Sequence, residues 1–182
     1  MKFHTKTVVL VSVLSAMAVV LMMFPKFSLI PAFPFLEVDF SDVPSLFASV
    51  AISPFAGLLV VLIKNLLHLP MTSTGGVGEL SNFLCGAALV VTAGLASRYL
   101  LRKWSVTKKL PLALLIAIAA QIVAALLGNY FLMIPLYHIQ NMASEYILGG
   151  VLPFNLAKDF IVCTVFYLLF RLLYARVGKL LH

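Results

Sequence analysis

Asn155, Lys158 and Asp159 stand at i, i+3 and i+4 in an otherwise apolar run, Val151–Tyr174. That spacing puts all three on one face of a helix. A lysine inside such a run is costly in lipid, and by default it marks a binding or transport site. Asn129 falls near the far end of the preceding run, Leu110–Ile134, at a similar depth, and Gln121 lies deeper on roughly the same face. Simpler roles stay open. Lys158 can pair with Asp159 or Glu145 merely to hold helices together, or reach outward along its own stem. Gln121 can serve as a hydrogen bond between helices.

Other familiar chemistries fit poorly. Thr74–Glu79 reads TGGVGE, but no GxxxxGK[ST] follows a strand and Gly76-Val77-Gly78 does not extend to GxGxxG. The segment reads instead as a tight turn into a helix whose first turn carries Glu79 and Asn82, an acid that suits the helix dipole. His4, His68, His138 and His182 are scattered without HxxxH or HExxH spacing, so no metal is expected. Cys85 and Cys163 sit within apolar runs and are expected to pack as small side chains. No carboxylate pair or Ser/His arrangement looks catalytic.

The elements that carry these residues follow from composition. The chain has 182 residues, 63% hydrophobic and 10% charged, with a mean hydropathy of +1.10. Soluble domains are nearer 45–50% apolar and about 25% charged, so a water-soluble globule is excluded. A disulfide scaffold is excluded too, since two cysteines allow one bridge. Thirteen basic residues against six acidic ones give +7, which in an apolar chain reads as orientation in a bilayer. Residues 1–182 are expected to form one multi-pass membrane domain. Thr7–Phe24 exceeds a secretory h-region and runs into Met22, Met23, Phe24 and Pro25 without a cleavage pattern, so it reads as a retained first helix.

Four apolar runs can each cross a bilayer: Thr7–Phe24, Leu80–Leu101, Leu110–Ile134 and Val151–Tyr174. Val43–Leu69 is the ambiguous one. Lys2 and Lys6 place the N-terminus in the cytoplasm, and Arg171, Arg176 and Lys179 place the C-terminus there. Arg98, Arg102, Lys103, Lys108 and Lys109 do the same for the middle loop. An odd number of crossings must then separate the first outer loop from Arg102, so Val43–Leu69 must hold two. Proline disfavours helix at the residue before it and starts helices well, which puts the break at Ser53-Pro54. The prediction is an all-α protein of six transmembrane helices with a short second helix, roughly Val43–Ile52.

This topology leaves ten of thirteen basic residues inside, with Lys26, Lys64 and Lys158 as exceptions. Glu37, Asp39, Asp42, Glu79 and Glu145 all fall at the outer side. The first outer loop, Lys26–Asp42, carries Phe27, Phe33, Phe35 and Phe40, with Pro31 and Pro34 blocking helix. An aromatic loop of this length is expected to be partly embedded or to cover a site. On the first helix, Ser12-xxx-Ala16 makes a small-residue patch, which serves either internal packing or docking of another membrane protein.

FLEVDFSDVPSLF (35–47), IKNLLHLPMTSTGGVGELSNF (63–83) and PFNLAKD (153–159) resemble the substrate-binding S components of energy-coupling factor (ECF) vitamin transporters, specifically those for riboflavin. The resemblance covers essentially the whole chain. It implies six helices, a first extracellular loop that caps the ligand, and a vitamin held by the outer halves of helices four to six. It also implies partners: a transmembrane coupling subunit and two cytoplasmic ATPases. Ser12 and Ala16 match the positions of an AxxxA docking motif on the family's first helix, with serine in place of the first alanine.

Asn129, Asn155 and Lys158 look like that family's flavin contacts, and the chemistry agrees. The pyrimidine-like edge of an isoalloxazine offers one N–H donor and several acceptors, which asparagine and lysine complement. Asp39, Phe40, Glu79 and Gln121 complete the candidate substrate-binding set, with Phe33, Phe40, Tyr130 and Phe154 as candidates to cover the ring. The expected function is riboflavin capture for an ATP-driven importer in the cell membrane, with no catalysis or resident cofactor in this chain. Alternatives are an S component for another vitamin, a stand-alone facilitator, or a small intramembrane enzyme using Lys158, Asp159 or His138.

Overall fold

The structure is a computed structural model describing residues 5–72, 74–101 and 103–180, with side chains for all of these except 106, 107, 137 and 174–180. Lys2 and Arg102, used in the charge argument, lie outside the described residues, as do the side chains of Arg176 and Lys179.

Helix α1 (Thr5–Met23) buries Val11, Ser15, Ala18 and Met22, which recur at helical spacing and face α3 (Pro54–His68). Its opposite face, including Val9, Val13 and Val20, is exposed. Ser12 and Ala16 lie on that exposed side. The loop that follows folds back as a two-stranded ribbon, β1 (Phe27–Ser28) antiparallel to β2 (Glu37–Val38), with Phe27 opposite Val38. A 2.8 Å ion pair from Lys26 to Glu37 closes its base. Phe33, between the two prolines, is buried, its ring edge-on to Tyr146 at 5.4 Å.

Helix α2 (Asp42–Phe47) continues through a π-helical turn, Ala48–Ile52. The helical run then breaks at Ser53, whose backbone is extended and whose hydroxyl accepts from the Ala56 amide at 3.1 Å. Pro54 opens α3 as the first helical residue, where its missing N–H costs nothing. Gly75 and Gly76 have φ of +62° and +90°, a backbone turn that side chains resist, and α4 (Val77–Leu95) leaves from it. Its last turn is π-helical, Ala96–Leu100. Helix α5 (Val106–Gly128) passes through another π turn, Asn129–Met133, into α6 (Ile134–Tyr137). The short α7 (Ala143–Glu145) and a π turn, Tyr146–Val151, lead into α8 (Leu152–Leu180).

Among the described residues, Thr5–Met23, Pro54–Met71, Val77–Leu100 and Lys108–Leu136 are long and apolar enough to cross a membrane. Asp42–Ile52 is shorter: at 1.5 Å per residue it spans about 16 Å, roughly half a hydrocarbon core. Its first residue meets α4 at Gly86, where an added Cβ would lie 3.1 Å from Asp42 Oδ1. Gly86 is about 13 Å along α4 from Val77, so α2 begins well short of the N-terminal end of α4. The folded loop occupies the space above it.

Two packed layers flank the level where α2 starts. On the α2 side Leu46, Leu89, Val90, Leu114, Val162 and Phe166 form one cluster, with the Phe47 ring edge-on to Phe166 at 4.9 Å. On the loop side Phe33, Ala125, Ile134, Tyr146 and Val151 form another. The helices α2, α3 and α4 meet closely through small residues. Ser49 donates to the Val90 carbonyl, and Arg98 donates to the Ile52 carbonyl at the end of α2. A Cβ on Gly57 would lie 2.5 Å from Ser49 Cβ and 3.0 Å from the Ser45 carbonyl. Gly57→Val is therefore expected to destabilise the protein by about 2–3 kcal/mol through overpacking, read as a lower unfolding midpoint in detergent. An unchanged midpoint would show that these helices can move apart freely.

Candidate ligand-binding site

Between the two layers lies a void of about 640 Å³, counting the open space at its mouth. Leu89 from one layer and Tyr146 from the other line it, with Asn129, Gln121, Asn155, Lys158 and Asp159 as its polar wall. The predicted face of α8 therefore does meet Asn129 and Gln121 at one place. Phe35 forms part of the wall from the loop, and Phe154 from α8. A neighbouring void of about 550 Å³ shares Phe35, Glu37, Gly78 and Asn82 with the first and is lined by Asp39 and Glu79.

The amide orientations follow from backbone carbonyls, which only accept. Asn155 Nδ2 donates to the Val151 carbonyl at 2.7 Å, so its Oδ1 is the atom that accepts from Gln121 Nε2 at 2.7 Å. Gln121 Oε1 is left buried without a partner. Asn129 Nδ2 likewise donates to the Ala125 carbonyl at 2.8 Å, and its Oδ1 accepts from the Tyr146 hydroxyl at 2.8 Å. Both asparagine oxygens are thus occupied inside the protein, while each amide nitrogen keeps a second N–H. Asn82 Oδ1 and Asp159 Oδ2 are also buried and unpartnered. Buried acceptors of this kind are expensive unless something donates to them.

Lys158 is shared by two carboxylates of the loop and α2: Asp39 Oδ2 at 3.2 Å and Asp42 Oδ2 at 3.8 Å. Its partners are therefore neither Asp159 nor Glu145, and Glu145 is exposed. Lys64, wholly buried, holds the other oxygen of Asp42 at 2.6 Å and the Ser41 hydroxyl at 2.6 Å. Ser41 donates to Asp39 through its amide, at 2.8 Å, and through its hydroxyl. Burial alone would push the Asp39 carboxyl up. The Lys158 and Lys64 ammonium groups and the Ser41 hydrogen bonds outweigh it and hold the carboxyl at about 2. Asp39 is thus ionised at neutral pH, and its share of this link is lost only as pH falls towards 2.

The remaining predicted residues distribute unevenly. Glu79 accepts from Thr72 at 2.7 Å and pairs with His68 Nδ1 at 2.8 Å, at the edge of the second void. Phe40 packs against the cluster containing Val43 and Leu46 and is not among the residues lining either void. Tyr130 is exposed and stacks edge-on with Phe131 at 5.0 Å. Asp42 and Lys64 were visible as charges in the sequence but carried no assigned role there. Phe35, Asn82 and Tyr146 carried no binding role there either, and for Phe35 an irregular loop gives no periodicity from which facing can be read.

A bundle of apolar helices around a polar-walled void, with buried charges paired across elements, defines a membrane protein of the solute-binding kind. The chain belongs to the ECF transporter substrate-specific components, whose family model matches residues 6–170. It is 38% identical to the riboflavin transporter RibU of Staphylococcus aureus over 92% of this chain and 90% of that protein. It is 35% identical to the riboflavin transporter FmnP of Bacillus subtilis over 91% and 90% of the two chains. A solved structure, described as the S component of a bacterial ECF transporter, superposes with a TM-score of 0.80 at 37% identity, covering 94% of this chain and 97% of that one.

Proposed function

We propose that this chain is the riboflavin-binding subunit of an ATP-driven ECF importer, taking the vitamin from outside the cell membrane. The observation that carries the reading is the polar wall of the void. It offers spare N–H donors from Asn129, Asn155 and Lys158 beside unpartnered buried acceptors, which suits a flat heterocycle with carbonyls and an N–H on one edge. Two relatives that share more than a third of its residues bear the name riboflavin transporter. Asn129, Asn155, Lys158 and Gln121 contact the ring system. Asp39 and Glu79 lie towards the second void, which gives room for the rest of the molecule, while Phe40 supports the loop from behind.

In this reading the chain is one six-helix membrane unit with both termini cytoplasmic. Asp42–Ile52 is the short second crossing, completed on the outer side by the folded loop. Ser12 and Ala16, on the exposed side of α1, permit close approach of a transmembrane coupling subunit. The chain itself is not an enzyme; ATP hydrolysis belongs to two cytoplasmic partner subunits.

Riboflavin added to the detergent-solubilised protein is expected to lose fluorescence saturably, and residues 26–42 are expected to exchange amide hydrogens more slowly once it is bound. The loop's Phe35 borders the void, so an apolar ring gives it a surface to close on. Unquenched fluorescence would overturn the riboflavin reading. Quenching with equal exchange in both states would leave the ligand and remove the closing loop.

A further inference from the structure

Three carbonyl or carboxylate oxygens facing this void lack partners, and they are not equivalent. Asn82 Oδ1 is shared with the second void, and Gln121 Oε1 belongs to a side chain already held by Asn155 from the neighbouring helix. Asp159 Oδ2 is on the same helix as Asn155 and Lys158, four residues beyond the first and next to the second. Asp159 is only 3% exposed and lines the void. No hydrogen bond or ion pair ties it to Lys158, whose ammonium is drawn instead to Asp39 and Asp42. A carboxyl oxygen buried without a donor is a costly group for a protein to carry. A bare acceptor here therefore asks for an N–H from whatever fills the void.

The two asparagines cannot easily be that acceptor, because both of their oxygens are occupied internally. They remain donors. The α8 face thus reads donor (Asn155), donor (Lys158), acceptor (Asp159), which complements a carbonyl–N–H–carbonyl edge once the acceptor meets its N–H. Resting on the riboflavin reading above, we infer that Asp159 is a specificity-determining residue: its carboxylate takes the imide N–H of the flavin, while Asn155 and Lys158 serve the flanking carbonyls. Gln121 holds Asn155 in place and contributes affinity without reading the imide.

The test compares riboflavin with 3-methylriboflavin, which lacks that N–H, by fluorescence titration of the solubilised full chain. A hydrogen bond to a charged group is worth about 1.5–3 kcal/mol, on the order of ten- to a hundredfold in affinity. The unmutated protein is expected to bind the methylated flavin at least tenfold more weakly. Asp159→Ala should weaken riboflavin by a similar factor and bring the two ligands to within about twofold of each other. Asp159→Asn, which keeps a neutral acceptor, should retain part of both affinity and discrimination, and it decides the matter if the alanine variant does not fold. Gln121→Ala should weaken both flavins alike. Full discrimination in Asp159→Ala, or unchanged affinity and discrimination in Asp159→Asn, would overturn the assignment. So would equal binding of the two flavins by the unmutated chain, which leaves the riboflavin reading standing. Binding of neither flavin would bring down that reading itself.

Discussion

Lys158→Ala is expected to weaken riboflavin binding by more than tenfold, with the protein still inserted in the membrane. Two effects add. The ligand loses a charge-assisted donor, worth about 1.5–3 kcal/mol, or roughly a decade or two of affinity. The variant also leaves Asp39 and Asp42 with Lys64 as the remaining ammonium beside them, which loosens the junction between the loop and α2. Asn155→Ala removes a neutral donor and is expected to cost only about 0.5–1.5 kcal/mol. Fluorescence titration of the two variants should therefore rank lysine well above asparagine. Normal binding by both would reduce the cluster to helix packing.

Lys64→Met is expected to destabilise the protein strongly. Its ammonium is fully buried and satisfies Asp42 and Ser41 together. Removing one partner of a buried ion pair costs about 3–5 kcal/mol, because the other charge stays behind. For a chain of this size that corresponds to a fall on the order of 10 °C in the unfolding midpoint. The double variant Lys64→Met with Asp42→Asn should recover much of the loss, since it buries no orphaned charge. A single variant as stable as the parent, or a double one no better than the single, would show that Asp42 is paired well enough by Lys158 alone.

Much of this was legible in advance where a rule of local geometry applied. The break at Ser53-Pro54 follows from what proline does to the residue before it, and the structure has Ser53 extended and capping α3. The grouping of Asn155, Lys158 and Asp159 follows from helical spacing, and all three line the void. Pairing was less legible. Lys158 meets Asp39 across 119 residues of sequence, and spacing along one helix says nothing about which distant loop arrives opposite it. The loop was hardest. Phe35 rather than Phe40 borders the void, because the β1–β2 ribbon and the start of α2 set those directions, and no period runs through both.

The ladder of buried charges also bears on the order in which the chain is completed as it is made. Asp42 and Lys64 are 22 residues apart, so they can neutralise each other as soon as α3 has packed against α2. Asp39 has Ser41 nearby but receives Lys158 only when the last helix arrives. Until then Asp39 has the Lys64 ammonium nearby but lacks its direct contact with Lys158, and Lys158 lacks the carboxylates of the loop and α2. Each makes the other's position affordable. Pairing with Asp39 and Asp42 thus fixes the place and rotation of α8, and the same contacts complete the polar wall of the void.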